Sequence, residues 1–452
     1  FPNNSSIALP NGGIYVMKER ISLITFGCKM NQAESQYISE KLSKEFDIIF
    51  EEKNGKSDAY ILNTCSVTSE AERKVRQTIR RIRKSNKNAK IIAIGCYANS
   101  DPLELRSIGA NLVLGNLEKK DIELYFDKEG VYSEKFFWLQ NDTKILVPEE
   151  SYGNRTRFFL PIEEGCINGC AFCKIRLLRG TKIISLSKKD IINKIQNLIN
   201  KGYKEIVLTG TNLTCYGLDN SESFEDLLKT IGDTFKDENI RIRLTSLYPN
   251  DVSDNLAYIL TNYSIFEKHL HLSIQHFSDR ILNLMGRNYK RKDILNSIEK
   301  LRKLDSKFSI TCDLIVGFPS ENEEDLKILF DSVKDLKILK VHGFRFSARE
   351  GTLAFKMDNQ ISGSDKKDRM IELTKNAQFS RKEYLSQLVS SEHTVLIEDV
   401  KNGYLLGYDE YYIPHKIYLK NGNCESDFRG IFLKSKIISI SEGSEGVISN
   451  VL

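Results

Sequence analysis

Short apolar runs recur through the first part of the chain, each leading into a cysteine and then into a helix-like pattern. Ile21 to Phe26 leads to Gly27-Cys28, Ala59 to Leu62 to Asn63-Thr64-Cys65, and Ile91 to Ile94 to Gly95-Cys96. Runs of this length alternating with helical periodicity predict βα units around a parallel sheet. Ligands of such sheets gather at the carboxyl ends of the strands, where all three cysteines fall. Three thiols far apart in sequence are therefore expected to meet at one sheet edge.

From Phe158 the alternation resumes. Phe158 to Ile162, Glu205 to Thr209, Ile240 to Thr245, His269 to Ile274, Ser309 to Val316 and Val341 to Phe346 read as strands, with helical stretches such as Lys188 to Asn200 and Glu323 to Leu336 between them. Six βα repeats predict an incomplete parallel barrel with its chemistry at the strands' C-terminal mouth. Residues 129–154, with Pro148 and Gly153, read as an irregular linker. Beyond Ser391 the runs shorten to Thr394 to Ile397, Tyr411 to Ile413, Lys416 to Leu419 and Ile437 to Ile440, punctuated by Asn402-Gly403 and Asn421-Gly422. That pattern predicts a small all-β domain. An α/β chain with domains at 17–128, 155–387 and 388–452 is expected.

A length of 452 residues exceeds one ordinary core, and 40% hydrophobic with 28% charged residues is a globular mix. The sequence has no apolar run near the roughly 20 residues that cross a bilayer and no signal-peptide pattern, so a cytoplasmic protein is expected. Residues 1–16, rich in Asn, Gly and Ser, read as a disordered leader or expression remnant ahead of Met17. A net charge of +5 permits an RNA partner without requiring one.

The nine cysteines are Cys28, Cys65, Cys96, Cys166, Cys170, Cys173, Cys215, Cys312 and Cys424. In a reducing compartment an odd number points to metal ligation or burial rather than disulfides. Cys166-Ile-Asn-Gly-Cys170-Ala-Phe-Cys173 follows the first barrel strand and puts three thiolates on one tight loop. Four-iron clusters are ordinarily held by four thiolates, so three leave one iron open to a substrate. A structural zinc needs a fourth ligand, and no His or Cys lies close by in sequence.

That loop resembles the signature of the radical S-adenosylmethionine (SAM) superfamily, which implies an open iron that chelates the amino and carboxylate groups of SAM. By the same resemblance Phe172 packs near the adenine and Thr209-Gly210-Thr211 meets the methionine amino group. A glycine at a strand end suits such close approach. The strings Thr25-Phe-Gly-Cys28-Lys-Met-Asn31, Asn63-Thr-Cys65-Ser-Val-Thr68 and Gly95-Cys96-Tyr97 resemble the three cysteine motifs of the methylthiotransferase family. This implies a second three-cysteine cluster. Glu205-Ile-Val-Leu-Thr-Gly210, Arg241-Ile-Arg-Leu-Thr-Ser246, His271-Leu-Ser-Ile-Gln275, Leu284-Met-Gly-Arg287 and Asp313-Leu-Ile-Val-Gly-Phe-Pro319 extend the likeness, with Ser246 and Gln275 implied as further SAM contacts. The remaining Cys215, Cys312 and Cys424 are expected to be structural thiols.

Cys28-Lys-Met-Asn31 and the stretch from Asn63 to Gln77 look most like the branch acting on N6-threonylcarbamoyladenosine (t6A) beside the tRNA anticodon. The resemblance implies that one SAM methylates sulfur at the first cluster and a second is cleaved to a radical that removes hydrogen from C2 of the adenine. It also implies a tRNA anticodon stem-loop and a small electron-donor protein of flavodoxin or ferredoxin type as partners. Rival readings are the same chemistry on isopentenyladenosine or on a ribosomal-protein aspartate, and a non-catalytic iron-sulfur or zinc RNA-binding protein.

The segment from Arg73 to Lys90 is free of acids, and on a helix Arg73, Arg76, Arg80, Arg83, Lys87 and Lys90 fall on one face. Val75, Ile79 and Ile82 form the adjacent apolar face, so a phosphate track beside a docked helix is expected, with an ordinary solvated face as the alternative. His393-Thr-Val-Leu-Ile-Glu398 and Gly407-Tyr408 resemble the TRAM domain, a small barrel used for tRNA contact. From Ser391 on, six basic residues face nine acids, and Tyr408, Tyr411 and Tyr412 read as base-stacking or barrel-filling rings. The chain departs from the family at Gln275-His276-Phe277-Ser278, where a Ser-Gly pair is usual, and at Ser347-Ala-Arg-Glu-Gly-Thr352, where prolines are usual.

Overall fold

The computed structural model describes residues 6–8, 14–16, 18–52, 56–134, 144–401, 403–419 and 428–452. The chain divides into two compact units. One comprises Phe1–Asn154, Phe159–Asn168 and Cys173–Ile184, the other Arg155–Phe158, Gly169–Phe172 and Ser185–Leu452.

In the first unit, β1 (Ser6–Ala8) and β2 (Ile14–Val16) pair antiparallel within the stretch expected to be a disordered leader. Then follow β3 (Arg20–Thr25), α1 (Lys29–Leu42), β4 (Asp47–Phe50), β5 (Ala59–Thr64), α2 (Ser69–Ser85), β6 (Lys90–Gly95), α3 (Cys96–Ser100), α4 (Pro102–Ser107), β7 (Leu112–Leu114) and β8 (Gly130–Tyr132). The six strands from β3 form one parallel sheet in the order β4-β3-β5-β6-β7-β8. One face of the sheet buries Ile38 and Leu42 of α1 with Ile21, Leu23 and Ile61; the other buries Val75, Ile79 and Ile82 of α2 with Ile24, Tyr60 and Leu62. Helices on both faces explain why β5 and β6 read as unbroken apolar runs. Because β8 belongs to this sheet, the stretch expected to be an irregular linker supplies its edge strand.

β9 (Arg157–Glu164) is shared between the units, and α5 (Ile175–Arg179) and β10 (Ile184–Ser185) follow it. The second unit continues with α6 (Lys188–Asn200), β11 (Glu205–Gly210), α7 (Phe224–Phe235), β12 (Arg241–Leu244), β13 (Ser246–Leu247) and α8 (Asp254–Asn262). Next come β14 (His269–Gln275), α9 (Asp279–Leu284), α10 (Arg291–Leu304), β15 (Ser309–Val316), α11 (Glu323–Asp335), β16 (Lys340–Arg345) and α12 (Gly363–Ser386). Parallel pairing joins β11 to β12 and runs through β13-β14-β15-β16, the expected partial barrel in two sets of strands. Ser187, Ser223, Ser253, Ser278 and Asn322 each cap the helix that follows.

The last strands, β17 (Glu392–Lys401), β18 (Tyr404–Tyr408), β19 (Pro414–Tyr418), β20 (Phe432–Ile440) and β21 (Val447–Val451), close a barrel in the order β17-β18-β19-β21-β20. Tyr411–Ile413, expected as a strand, is the turn between β18 and β19: its run is too short to pair and begins after the buried Asp409. Gly407 packs against β17, where a Cβ would come within 2.2 Å of the Leu396 carbonyl oxygen. Met17, residues 135–143, Asn402, Lys420, Asn421-Gly422, Cys424, Glu425 and Asp427 lie outside the described residues. No helix is long and apolar enough to cross a membrane among the described residues.

The docked face of α2 gives a direct check on this architecture. Ile79→Ala is expected to cost about 2–5 kcal/mol, read from denaturant unfolding of the N-terminal unit, and Arg80→Ala on the opposite side less than about 0.5 kcal/mol.

Candidate cluster sites

Cys65 directly follows Thr64 and Cys96 directly follows Gly95, and Thr64 and Gly95 are register partners across β5 and β6. The two thiols thus leave adjacent parallel strands side by side, about one strand spacing apart. Cys28 lies three residues past Thr25, which is paired with Asn63 on β5, and stands exposed at the start of α1. Cys65 and Cys96 are buried at 6% and 2% exposure. Burial, with the neighbouring Cys96 next in weight, pushes the Cys65 thiol up to about 12, and burial raises Cys96 as well. All three cysteines thus follow the carboxyl ends of the adjoining strands β3, β5 and β6. Among the described residues, their sulfurs are not gathered within 4.8 Å of one another. A single zinc, with Zn–S of about 2.3 Å, would hold them about 3.8 Å apart.

The other letters of the three motifs hold this edge in place. Asn31 donates to the carbonyls of Phe26 and Thr64, both at 3.1 Å, and its Oδ1 accepts from the Cys28 thiol at 3.4 Å. Asn63 donates to the Asn31 carbonyl at 2.9 Å. Gly95 sits at φ +91°, where a Cβ would lie 2.5 Å from Asn63 Oδ1 and 2.9 Å from the Thr64 carbonyl. Only glycine combines that backbone with that clearance.

Behind the thiols lies a buried charge network that motif reading missed. Arg179 on α5 is 3% exposed and donates to Glu34 (2.8 Å), Glu164 (2.9 Å) and Asn31 Oδ1 (3.1 Å). Lys119 pairs with the other oxygen of Glu34 at 2.8 Å. Burial alone would raise Glu34, but Arg179 and then Lys119 hold its carboxyl down to about 2. The two cations balance the two carboxylates and also act on Cys96. A sequence signal existed only in the arginine's position shortly after the second cysteine loop.

That second loop leaves β9 through Gly165, at φ +109°, where a Cβ would meet the Lys182 carbonyl at 2.2 Å. Ala171 is fixed on both sides: its N–H donates to the Met285 carbonyl and its carbonyl accepts from Ala354, both at 2.8 Å. Cys170 Sγ lies 3.6 Å from the Tyr248 hydroxyl. Arg287 spreads over Tyr248, Phe172 and Tyr289 at 4.6, 5.4 and 5.6 Å from the ring centroids. Its Nε and Nη1 are buried without a hydrogen-bond partner, as is Thr211 Oγ1 just past the end of β11. Gln275 ends β14 at φ +67° inside a three-residue turn closed by His276 N–H to the Ile274 carbonyl at 2.9 Å. Such a backbone in a non-glycine residue marks a constrained strand end. The departure that follows is a packing solution: His276 and Phe277 are fully buried, His276 Nδ1 accepts the Ser278 N–H at 2.9 Å, and Ser278 caps α9. Thr209 is buried, Gly210 closes β11, and Ser246 opens β13 beside His271. Cys215 and Cys312 are buried thiols.

The basic stripe needs correction. Helix α2 ends at Ser85, so Lys87 and Lys90 lie off its face; Asn86 turns the chain out of the helix. Arg83 is spent internally on the carbonyls of Gly109, Lys87 and Ala89, and Arg76 on the Tyr97 hydroxyl at 2.7 Å. Arg73, Lys74, Arg80, Arg81, Lys84 and Lys87 remain exposed, with Arg73 paired to Glu70. The tyrosines also differ from expectation. Tyr408 and Tyr412 stack on each other at 4.8 Å and are covered by Arg157 (4.5 Å over Tyr408) and Arg243 (4.2 Å over Tyr412), while Tyr411 donates to Asp305. They seat the barrel on its own unit. Beside them lies a cavity of about 570 Å³ whose lining includes Tyr408, Tyr412, Tyr418, Lys340, Arg381 and Lys416.

With this geometry in hand, comparison with known proteins is decisive. Residues 20–115 match "Uncharacterized protein family UPF0004" and residues 160–333 the "Radical SAM superfamily". "Threonylcarbamoyladenosine tRNA methylthiotransferase MtaB" of Thermotoga maritima is 38% identical, over 95% of this chain and 96% of its own. The chain belongs to the radical SAM methylthiotransferases. The Bacillus subtilis protein of the same name is 32% identical over 92% of this chain and 93% of its own. The "tRNA-2-methylthio-N(6)-dimethylallyladenosine synthase" of Fervidobacterium nodosum is 30% identical over 93% and 97%. The radical SAM methyltransferase TsrM of Kitasatospora setae shares the fold at a TM-score of 0.52 and 13% identity, covering 72% of this chain and 73% of its own.

As a radical SAM methylthiotransferase the protein works with SAM and 4Fe-4S clusters. The residues present fit such groups. At the sheet edge, three thiols stand near the buried Arg179 and Lys119, both of which act on Cys96. In the second unit, Arg287 lies over Phe172 and over Tyr248, the neighbour of Cys170, with N–H groups that lack a partner, and the buried Thr211 hydroxyl past β11 lacks one too; a carboxylate and an ammonium would satisfy them.

Two outcomes follow. Gly95→Ala is expected to bring iron in the reconstituted protein from about eight to about four per chain, measured by elemental analysis, because the Cβ displaces Asn63 and the edge that carries the first trio. The depressed Glu34 carboxyl stabilises the cluster-free fold fully above its unfolded value of about 4.3, and that contribution is lost as pH falls toward about 2. An acid titration followed by circular dichroism should therefore show a shallower loss over this window in Glu34→Gln than in wild type.

Proposed function

We propose that this enzyme transfers a methylthio group to C2 of t6A next to the tRNA anticodon. The observation that carries this reading is the end-to-end likeness to MtaB combined with Cys28, Cys65 and Cys96 at three adjoining strand ends. Cys28, Cys65 and Cys96 hold one cluster; Cys166, Cys170 and Cys173 hold the other and leave an iron for SAM. Residues 17–128 form the first cluster domain, 155–387 the radical SAM domain and 388–452 the TRAM-like domain, and the enzyme acts in the cytoplasm.

When bound, the clusters and SAM supply one-electron chemistry and sulfur that no side chain offers. The chain's own residues bind and orient. Arg287 meets the SAM carboxylate, Phe172 packs by the adenine, Thr209, Gly210 and Thr211 take the ammonium, and Ser246 and Gln275 line the same strand ends. Such positioning is the protein's main share in a reaction with no acidic proton to remove. The exposed Arg73, Lys74, Arg80, Arg81, Lys84 and Lys87 offer an RNA phosphate track, and the basic, tyrosine-lined cavity of the barrel a second contact. A small flavodoxin- or ferredoxin-type protein supplies electrons.

The test is mass spectrometry of tRNA nucleosides from cells lacking the protein, in which methylthio-t6A should vanish and t6A accumulate. Loss of methylthio-isopentenyladenosine instead would move the substrate to that branch. In vitro, Cys28→Ala should abolish methylthiolation and leave reductive SAM cleavage within about twofold of wild type; surviving methylthiolation would end the two-cluster division.

A further inference from the structure

The C-terminal barrel buries three metal-ligating side chains that the tRNA chemistry does not use. His393 of β17, Asp409 at the end of β18 and His415 of β19 have fully buried side chains, with one ligand atom from each gathered within 4.8 Å of the others. Asp409 Oδ2 lies 2.8 Å from His393 Nδ1 and 3.0 Å from His415 Nε2. Its Oδ1 accepts the N–H groups of Tyr411 (3.0 Å) and Ile413 (2.8 Å).

Outer hydrogen bonds turn one nitrogen of each imidazole toward Asp409. Ser391 donates its single hydroxyl proton to the Leu388 carbonyl at 2.5 Å, so it accepts from His393 Nε2 at 2.6 Å. His393 thus presents Nε2 to Ser391 and Nδ1 to a carboxylate oxygen of Asp409. Nδ1 is buried and makes no hydrogen bond, although Asp409 is within reach. A buried nitrogen that faces a carboxylate oxygen without a hydrogen bond suits a cation held between the two. His415 has the matching arrangement, Nε2 inward and Nδ1 on Ser449 Oγ at 2.8 Å. Outer hydrogen bonds of this kind orient metal-bound imidazoles. A second carboxylate stands near: Glu410 Oε1 is 3.7 Å from His393 Nδ1.

We propose that His393, Asp409 and His415, with Glu410 as fourth ligand, form a structural site for a divalent zinc-class ion. Two imidazoles and two carboxylates suit a closed tetrahedral site of that class, and their two negative charges neutralise the ion inside the barrel. Zn–N and Zn–O bonds of about 2.0–2.1 Å set ligand atoms about 3.3 Å apart, so the present spacing needs to open by a few tenths of an ångström. The purpose follows from position. The barrel's apolar residues divide between two clusters, Val395, Ile397, Leu405 and Ile417 in one, and Ile413, Ile437 and Val447 in another with Leu339, Tyr384, Leu385 and Leu388. An ion here would tie β17, β18 and β19 directly and β21 through Ser449, as metals staple other small domains.

The full-length protein, expressed with zinc and reconstituted anaerobically, should retain about one zinc per chain through gel filtration in addition to its cluster iron. Zinc X-ray absorption should show only nitrogen and oxygen neighbours. His393→Gln and His415→Gln should each lose the zinc while keeping the iron, and Ser449→Ala should weaken zinc binding about tenfold. Wild-type protein without zinc would overturn the site. Sulfur in the zinc shell, or unchanged zinc in both His variants, would overturn it equally.

Discussion

The parallel register of β3, β5 and β6 is what brings Cys28, Cys65 and Cys96 into one neighbourhood. Strands of a parallel sheet end together on one side, and neighbours stand about 4.8 Å apart, so cysteines placed just past those ends share an edge whatever their distance in sequence. The surrounding residues of each motif serve that edge. Asn31 and Asn63 tie the loops to one another, and Gly95 leaves the space they need.

Charge is handled differently in the two units, each time by burial of paired ions. In the first, Arg179 and Lys119 balance Glu34 and Glu164 and also act on the Cys96 thiol. In the second, Arg157 bonds Glu398 at 2.6 Å and Arg243 bonds Glu205 at 3.0 Å, under the stacked Tyr408 and Tyr412. Removing one member of such a set strands the other charge, which makes these networks rigid supports and poor sites for exchange.

Much of the architecture was legible. The strand Ser309–Val316 and the helix Lys188–Asn200 were readable to the residue, because long runs with one period leave little ambiguity. Short elements were not. β8 and β18 lack strong alternation, and Tyr411–Ile413 has apolar character without the length to pair. The basic stripe was overextended for a related reason: periodicity counts positions on a helix but does not say where the helix stops. Nor does it say that Arg76 and Arg83 find internal partners.

By itself, the sequence determined the fold class, the two sets of three thiols and the family chemistry, because cysteine spacing and strand-end position are local facts written in one dimension. Only the tertiary structure decided which charges are spent and which are free. It alone showed Arg179 behind the first thiols, the unsatisfied N–H groups of Arg287 beside Phe172, and three buried ligands in the barrel. Those depend on which side chains meet across distant segments, and hydrogen-bond satisfaction in a buried site is settled by that meeting rather than by the identity of any one residue.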